Sequence, residues 1–189
     1  MKKIAIFASG NGSNAENIIR YFQDRGSSAV VGVYCNKPGA FVLQRAENCG
    51  VPAVVFDRER FRNGELLGEI EAAGIDYIIL AGFLWLLPPA LVRRYSNRII
   101  NIHPSLLPKY GGKGMYGSHV HEAVISNGEK ESGITIHVVN EEYDKGEILF
   151  QAKVEVSPED TPSTLASKIH ELEYEHFPLV IEQYITQKG

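Results

Sequence analysis

The sequence has few cysteines, no large excess of one charge and no long apolar run, and each shortage excludes a class of protein. Its two cysteines, Cys35 and Cys49, are too few for a disulfide framework or a cysteine-rich metal site. Its 19 basic and 23 acidic residues give a net charge of -4, so no overall field attracts a nucleic acid. No apolar stretch approaches the roughly 20 residues that span a bilayer, and the apolar run at the amino terminus is too short for a signal sequence. We therefore expect a soluble, cytoplasmic protein without nucleic-acid or membrane partners.

Short β-branched segments alternate with helical patterns through the first hundred residues, which is typical of a parallel sheet flanked by helices. We predict strands over residues 4–8, 29–34, 52–56, 77–81, 98–103, 133–139 and 148–156, and helices over residues 14–25, 41–49 and 118–127, through Leu66 and Ile70, and after Pro88 and Pro89. A terminal helix begins at Thr161 and Pro162, which suit the N-cap and first helical positions. Pro178 is expected to kink or end it. The pattern indicates one α/β domain over residues 1–189.

Residues 104–117 contain several glycines and prolines and have no periodic apolar face. Loops of this length in a compact domain usually cover a functional site, although an excursion without a function is the alternative. We interpret the segment as a lid.

A glycine-rich turn, Gly10-Asn11-Gly12-Ser13-Asn14, follows the first predicted strand and opens a helix. Backbone N–H groups at such a turn bind phosphate well. The stretch also fits the loose dinucleotide fingerprint, but Cys35-Asn36-Lys37 stands where an NAD enzyme needs an acid. We rank a single phosphate first, a plain turn capped by Ser13 or Asn14 second, and NADP bound through Lys37 last.

Asn101 and His103 stand two apart at the end of the fifth predicted strand, so both side chains face one side of the sheet. An imidazole moves protons near pH 7, and a carboxamide stabilises a developing oxyanion, so the pair suits acyl transfer. Asp144, in an acidic loop after a later strand, is the best candidate to orient the imidazole. A structural histidine beside a solvated acidic loop is the competing interpretation.

These residues resemble those of the folate-dependent formyltransferases, and among them the phosphoribosylglycinamide formyltransferases, along essentially the whole chain. The resemblance rests on the glycine-rich turn, on Ala81-Gly82-Phe83, on the specific stretch Asn101-Ile102-His103-Pro104-Ser105-Leu106-Leu107-Pro108, and on Asp144 with its following glycine. It implies a three-layer Rossmann-like fold with a mainly parallel sheet and an antiparallel carboxyl-terminal extension. Residues 1–100 would form the phosphate-binding half, and residues 101–189 the catalytic half.

The resemblance also implies a reaction, in which the amine of 5-phosphoribosylglycinamide attacks the formyl carbon of 10-formyltetrahydrofolate directly. By position in the family pattern, the resemblance implies that His103 transfers protons at the reacting centre, Asn101 stabilises the oxyanion and Asp144 raises the basicity of His103. The acceptor would contact Gly12, Ser13, Asn14, Pro104 and Glu173. The folate would contact Arg58, Leu84, Trp85, Leu86, Leu87, Asn101, Val139, Asn140, Glu141, Tyr143 and Asp144. Neither a metal nor NAD(P) is implied, and we expect a monomer or weak homodimer acting on small molecules.

Three features depart from the family pattern. Trp85 stands where an arginine is expected, and His170 stands where a glutamine is expected. The loop over residues 111–117 is longer than the common form. The first departure concerns a side-chain contact in the segment after Gly82-Phe83, the second exchanges one hydrogen-bonding side chain for another, and the third concerns the lid.

Other functions fit the sequence less well than transfer to this acceptor. A 10-formyltetrahydrofolate hydrolase would use the same three side chains with water, but that family carries an additional amino-terminal domain that we do not expect here. Methionyl-tRNA formyltransferase has a basic second domain, likewise not expected. A metal held by His103, His119 and His121 is disfavoured because the last two diverge at a helix start. We interpret these two as loop or cap residues, and the minor alternative is that His121 helps to order the edge of the active site. Catalysis by a nucleophilic serine is disfavoured because Ser105 lacks the Gly-x-Ser-x-Gly elbow that would expose its hydroxyl. A non-catalytic phosphoribosyl-binding module would have no need of Asn101, His103 and Asp144 together.

Overall fold

A computed structural model describes residues 1–142 and 144–188. The strands within this part of the chain are β1 (Lys2–Ala8), β2 (Ser28–Cys35), β3 (Ala53–Val55), β4 (Tyr77–Leu80), β5 (Ile99–His103), β6 (Glu131–Val138) and β7 (Ile148–Glu155). The helices are α1 (Ser13–Arg25), α2 (Val42–Asn48), α3 (Arg58–Arg62), α4 (Glu65–Ala72), α5 (Pro89–Arg94), α6 (Ser118–Ser126) and α7 (Pro162–Lys188). The strands predicted from the sequence agree with these bounds to within two residues. No helix in the described part of the chain is both long enough and apolar enough to cross a membrane.

The strands form one sheet in the order β3-β2-β1-β4-β5-β6-β7. Strands β1 to β5 run parallel to their neighbours, whereas β6 is antiparallel to β5 and β7 is antiparallel to β6. The mainly parallel sheet with an antiparallel extension is therefore confirmed.

Helices cover both faces of the sheet, because alternate residues of the central strands are apolar on both sides. Ile4 and Ile6 of β1 pack with α1, α2, α6 and α7, whereas Ala5 and Phe7 pack with α3, α4 and α5. Full burial of an isoleucine or phenylalanine contributes about 1.5–3 kcal/mol, so these two layers hold the sheet rigid.

The order of the strands places a crevice at one edge of the sheet. From β1 the chain moves outward to β2 and β3, and it then returns to place β4 on the other side of β1. Connections leave the carboxyl ends of β1 and β4 in opposite directions, which is where open α/β sheets bind their ligands.

The terminal helix differs from the prediction, because α7 continues past Pro178 to Lys188. Pro178 has no N–H to donate to the carbonyl of Tyr174 one turn earlier. The Nδ2 of Asn17 in α1 donates to that carbonyl instead, at 3.0 Å. Of the two effects predicted for Pro178, an end of the helix is therefore wrong, since a neighbouring helix supplies the missing donor.

The short helix α3 is absent from the sequence prediction. Its N-cap is Asp57, whose carboxylate accepts a hydrogen bond from the N–H of Arg60 at 2.9 Å. A single turn of five residues is too short to show a helical period, so only the cap could have indicated it.

Candidate active site

A cleft of about 1050 Å³ lies along the carboxyl edge of the sheet, at the crevice between β1 and β4. Its walls come from the segments after β1, β4 and β5, from the second part of the 104–117 loop, and from α6 and α7. The residues of the glycine-rich turn and the Asn101, His103 and Asp144 group all line this one cleft. The structure thus brings together two features that lie far apart in the sequence.

Asn101, His103 and Asp144 form a compact group at one place in the cleft. Asn101 and His103 are on β5, where they lie opposite His137 and Thr135 of β6. The Nδ1 of His103 lies 3.6 Å from Oδ2 of Asp144, and both side chains are largely buried. The predicted grouping is therefore present.

The protonation of His103 follows from its hydrogen bond to the main chain. Its Nε2 lies 2.7 Å from the carbonyl oxygen of Tyr110, which can only accept, so Nε2 carries a proton. Burial lowers the pKa of His103 below its usual value, although the carboxylate of Asp144 opposes this effect. The ring is therefore neutral near pH 7, with an unprotonated Nδ1 that faces Asp144.

Asp144 is held in place by the loops on either side. The N–H of Gly112 donates to its Oδ2 at 2.9 Å, and Oδ1 lies 3.6 Å from Nε2 of His137. Burial pushes its pKa upward, but the two imidazoles and the Gly112 amide outweigh burial, and the net pKa is lowered. Asp144 thus remains a carboxylate, which would stabilise a positive charge on His103 if the ring gained a proton.

The turn that carries Asp144 has little spare room. Asp144 has a positive φ of 52°, and a Cβ on Gly146 would lie 1.6 Å from the carbonyl oxygen of Val138. Glycine is therefore required at position 146, because any side chain would push the turn off the end of β6.

His137 is a site residue that the sequence reasoning missed. It is buried in β6, its Nε2 lies 3.1 Å from Nδ2 of Asn101, and it lines the cleft. The sequence does contain a pattern that indicates it, because Thr135 and His137 alternate with Ile134, Ile136 and Val138 in a strand of buried residues. Two polar groups on one face of such a strand indicate a polar pocket.

Thr135 fixes the start of the loop that follows His103. Its Oγ1 donates to the carbonyl of Ser105 at 2.7 Å and accepts from the N–H of Leu107 at 3.0 Å. Gln151 of β7 adds bonds to Thr135 and to the carbonyl of Leu107. The hydroxyl of Ser105 donates to the carbonyl of Lys109 at 2.6 Å, so this serine is a structural residue of the loop.

The glycine-rich turn forms the opposite end of the cleft. Gly12 is the N-cap of α1, with a φ of 77° and without a side-chain cap, so the alternative in which Ser13 or Asn14 caps the helix is wrong. A Cβ on Gly12 would lie 2.3 Å from Cγ2 of Val42. The first N–H groups of α1 have no helical acceptors, and they are available to an anion in the cleft.

Glu173 of α7 closes the same end of the cleft. Its buried Oε2 accepts from Nδ2 of Asn14 at 2.8 Å and from Nδ1 of His170 at 2.9 Å. Pro104 also lines the cleft. All five residues predicted to contact the acceptor, namely Gly12, Ser13, Asn14, Pro104 and Glu173, thus lie on its walls.

Most residues predicted to contact the folate lie on the remaining wall, and they are Leu84, Trp85, Leu86, Leu87, Val139 and Asn140. Arg58 does not line the cleft, because its guanidinium stacks on the outer part of this wall, 4.6 Å from the ring centre of Trp85. Glu141 points away and pairs with Arg93 at 3.2 Å. Tyr143 lies outside the described residues.

The two histidines of α6 occupy different environments. His121 is buried and lines the cleft, so its interpretation as a loop or cap residue is wrong, and its position agrees with the minor alternative, a residue at the edge of the site. His119 is exposed and lies 3.8 Å from Glu122. Within residues 1–142 and 144–188, no three histidine, cysteine or acidic side chains are grouped so that they could hold a metal ion.

Comparisons with known proteins define the class to which this fold and site belong. Residues 2–181 match the family model described as formyl transferase. The chain is 39% identical over 190 residues to phosphoribosylglycinamide formyltransferase of Haemophilus influenzae, covering 97% of this chain and 87% of that protein. It is 41% identical over 187 residues to the chloroplastic phosphoribosylglycinamide formyltransferase of Arabidopsis thaliana, covering 95% of this chain but 64% of that relative.

Solved structures agree with the sequence comparisons. The crystal structure of phosphoribosylglycinamide formyltransferase from Bacillus halodurans superposes with a TM-score of 0.89 at 35% identity, covering 100% of this chain and 97% of that chain. The chain therefore belongs to the formyl transferase family.

Proposed function

We propose that this protein transfers the formyl group of 10-formyltetrahydrofolate to the amine of 5-phosphoribosylglycinamide. The products are 5-phosphoribosyl-N-formylglycinamide and tetrahydrofolate, in de novo purine biosynthesis. The observation that carries the proposal is the presence of Asn101, His103 and Asp144 in the same cleft as an uncapped, glycine-rich helix start. The names of the similar proteins from Haemophilus and Arabidopsis support it.

The acceptor would lie between the glycine-rich turn and α7. Its phosphate would accept hydrogen bonds from the main chain at Gly12, Ser13 and Asn14, since the helix end favours an anion there. Glu173 would accept from the ribose hydroxyls, and Pro104 would pack against the glycinamide. This placement directs the amine toward His103.

The folate would occupy the wall formed by residues 84–87, 139 and 140. Leucines and Trp85 suit a flat aromatic ring, and the main chain supplies hydrogen-bonding groups to the pterin. Arg58, stacked on Trp85 at the outer end, would pair with a glutamate carboxylate of the folate tail. Glu141 and Tyr143 would contribute from the loop that carries Asp144.

The chemistry follows from the state of His103. The amine nitrogen forms a bond to the formyl carbon, and the carbonyl electron pair moves onto oxygen, where an N–H of Asn101 stabilises it. The amine proton passes to Nδ1 of His103, and Asp144, 3.6 Å away, stabilises the resulting imidazolium. The electron pair on oxygen then re-forms the carbonyl as the bond from carbon to N10 breaks. N10 takes the electron pair of that bond and the proton from His103, and His103 returns to its neutral form.

The decisive experiment mixes the protein with 10-formyltetrahydrofolate, with and without 5-phosphoribosylglycinamide, and follows tetrahydrofolate and free formate separately. We expect tetrahydrofolate to form only when the amine is present, without free formate. Formate release that is independent of the amine would make the protein a hydrolase. Binding of the acceptor without turnover would make it a phosphoribosyl-binding module.

The folate wall has its own optical readout, because Trp85 is the single tryptophan of the chain. We expect a non-reactive reduced folate to change the tryptophan emission, and the acceptor alone to change it much less. An unchanged emission at saturating folate would contradict this placement.

The remaining parts of the proposal concern the surroundings of the reaction. We propose that residues 1–189 act as one catalytic unit, as a monomer or weak homodimer in the cytoplasm, without a metal, NAD(P), nucleic-acid or membrane partner. Sedimentation over a range of concentrations tests the oligomeric state, and turnover in the presence of a chelator tests the independence from metals.

A further inference from the structure

Glu173 carries a buried carboxylate at the end of the cleft that is nearest the glycine-rich turn. Both of its hydrogen bonds among the described residues end on the same oxygen, Oε2, and they come from Asn14 and His170. Its other oxygen therefore remains for a ligand in the cleft. This arrangement makes the orientation of Glu173 depend on the two donors.

The negative charge of the buried Glu173 carboxylate also needs a compensating positive charge. A buried carboxylate is costly unless a positive group accompanies it, and a phosphate bound at the neighbouring turn would repel it. A carboxylate only accepts hydrogen bonds, so Nδ1 of His170 carries a proton at 2.9 Å from Oε2. The hydrogen bond to Glu173 raises the pKa of His170 above its usual value, although partial burial opposes the effect.

We propose that His170 is a positioning residue for the acceptor, and that its positive charge holds Glu173 in place and offsets the repulsion between Glu173 and the acceptor's phosphate. The inference rests on the proposed function, and it adds a pH dependence of acceptor binding. Affinity is highest below the pKa of His170 and decreases as the pH rises through it, because deprotonation removes the compensating charge.

The other titratable groups around His170 do not replace it. His121, on α6, has a pKa lowered by burial, and it is neutral where His170 titrates. His103, on β5, is likewise neutral because burial lowers its pKa. From α1, the group that reaches Glu173 is the uncharged amide of Asn14. His170 is therefore the member of this cluster whose charge changes near neutral pH.

The test compares His170→Gln with His170→Ala and the unchanged protein. Glutamine keeps a hydrogen-bond donor for Glu173 but carries no charge, whereas alanine removes both. The matched control is His176→Gln on the same helix, because the ring of His176 packs 4.7 Å from that of Phe150 and does not line the cleft. The dissociation constant of 5-phosphoribosylglycinamide is measured by calorimetry from about pH 6 to about pH 9, with KM and kcat in parallel.

At low pH we expect the unchanged protein to bind about tenfold more tightly than His170→Gln, and the two curves to converge at high pH. The ionisation of the acceptor itself cancels in the ratio of the two dissociation constants, since both proteins bind the same ligand. His170→Ala binds more weakly at every pH, kcat stays within about twofold in all variants, and His176→Gln follows the unchanged protein. A ratio that does not vary with pH, in a protein that still transfers formyl groups, overturns this inference alone.

A second measurement is independent of the substrate. The titration of His170 is followed by NMR in the unchanged protein and in Glu173→Gln, and we expect the His170 pKa to fall in the variant. An unchanged His170 pKa overturns the pairing even if no turnover is found, whereas absent turnover with intact pairing overturns the proposed function.

Discussion

The first hundred residues and the remainder of the chain contribute to the cleft in different ways. The earlier region is a parallel sheet with helices, and it contributes mainly main-chain geometry, through the turn at Gly12 and the uncapped start of α1. The later region contributes side chains, with His103 and His137 on paired strands and Asp144 in the turn after β6. In the proposed function, the first region binds the acceptor through its backbone, and the later region carries out proton transfer through its side chains.

This difference indicates how each region can be disabled. A backbone site tolerates many side-chain changes but is sensitive to an added Cβ, as the 2.3 Å approach to Val42 at Gly12 indicates. A side-chain site is disabled by replacements that keep shape but remove charge. We therefore expect substitutions in the first region to act on KM, and those in the second to act on kcat.

The largest effect is expected for His103→Ala. Removing the group that accepts and returns the proton lowers kcat by about 10²–10⁴-fold, while the dissociation constant of the acceptor changes little. Stopped-flow or steady-state turnover measures the loss. The control is His119→Ala, an exposed histidine outside the cleft wall. Equal losses in both variants would contradict the assignment.

Asp144→Asn is expected to reduce kcat by about 10²-fold, since the amide keeps the shape but cannot stabilise the imidazolium. The carboxylate raises the pKa of His103, so its removal moves the titration of His103 to lower pH, as NMR would show. Glu147→Gln, an exposed position in the following segment, serves as the charge-matched control. An unshifted His103 titration in Asp144→Asn would remove Asp144 from this role.

Gly12→Ala tests the backbone region. Both the positive φ and the contact with Val42 oppose a side chain, so the turn must move and acceptor affinity falls by about 10–100-fold with a smaller change in kcat. Gly39→Ala is the control, because a Cβ there meets no atom within 4 Å and φ is not positive. If Gly12→Ala reduced kcat alone, the comparison between the regions would fail.

The smallest effect concerns the contact between the two regions. Asn17→Ala leaves the carbonyl of Tyr174 without its donor beside Pro178 and lowers the free energy of unfolding by about 1 kcal/mol. Urea denaturation measures this change. Asn48→Ala, which removes an exposed contact with Gln44, is expected to change stability by less than about 0.5 kcal/mol. Equal changes would mean that the helix does not depend on Asn17.

The sequence predicted the parallel strands well, because a run of apolar β-branched residues is a local pattern that is visible without knowledge of the neighbouring strands. It also indicated Asn101, His103 and Asp144, since strand period and a polar loop place them at one edge. It gave His121 only a minor place at the edge of the site, because the burial of this residue depends on the packing of α6 against α7. It could not show that α7 continues past Pro178, because the compensating donor, on Asn17, lies 157 residues from Tyr174 along the chain. Contacts of that range follow from packing and leave no local pattern.

The hydrogen bond between Asn14 and Glu173 has a consequence for biosynthesis. It joins residues 159 positions apart, so the glycine-rich turn is synthesised well before the residue of α7 that closes it. Domains begin to fold from the amino terminus during synthesis. A nascent chain that has not yet reached Glu173 can form the glycine-rich turn but cannot close it with a carboxylate. The proposed acceptor site is therefore incomplete until the first half of α7 has been synthesised.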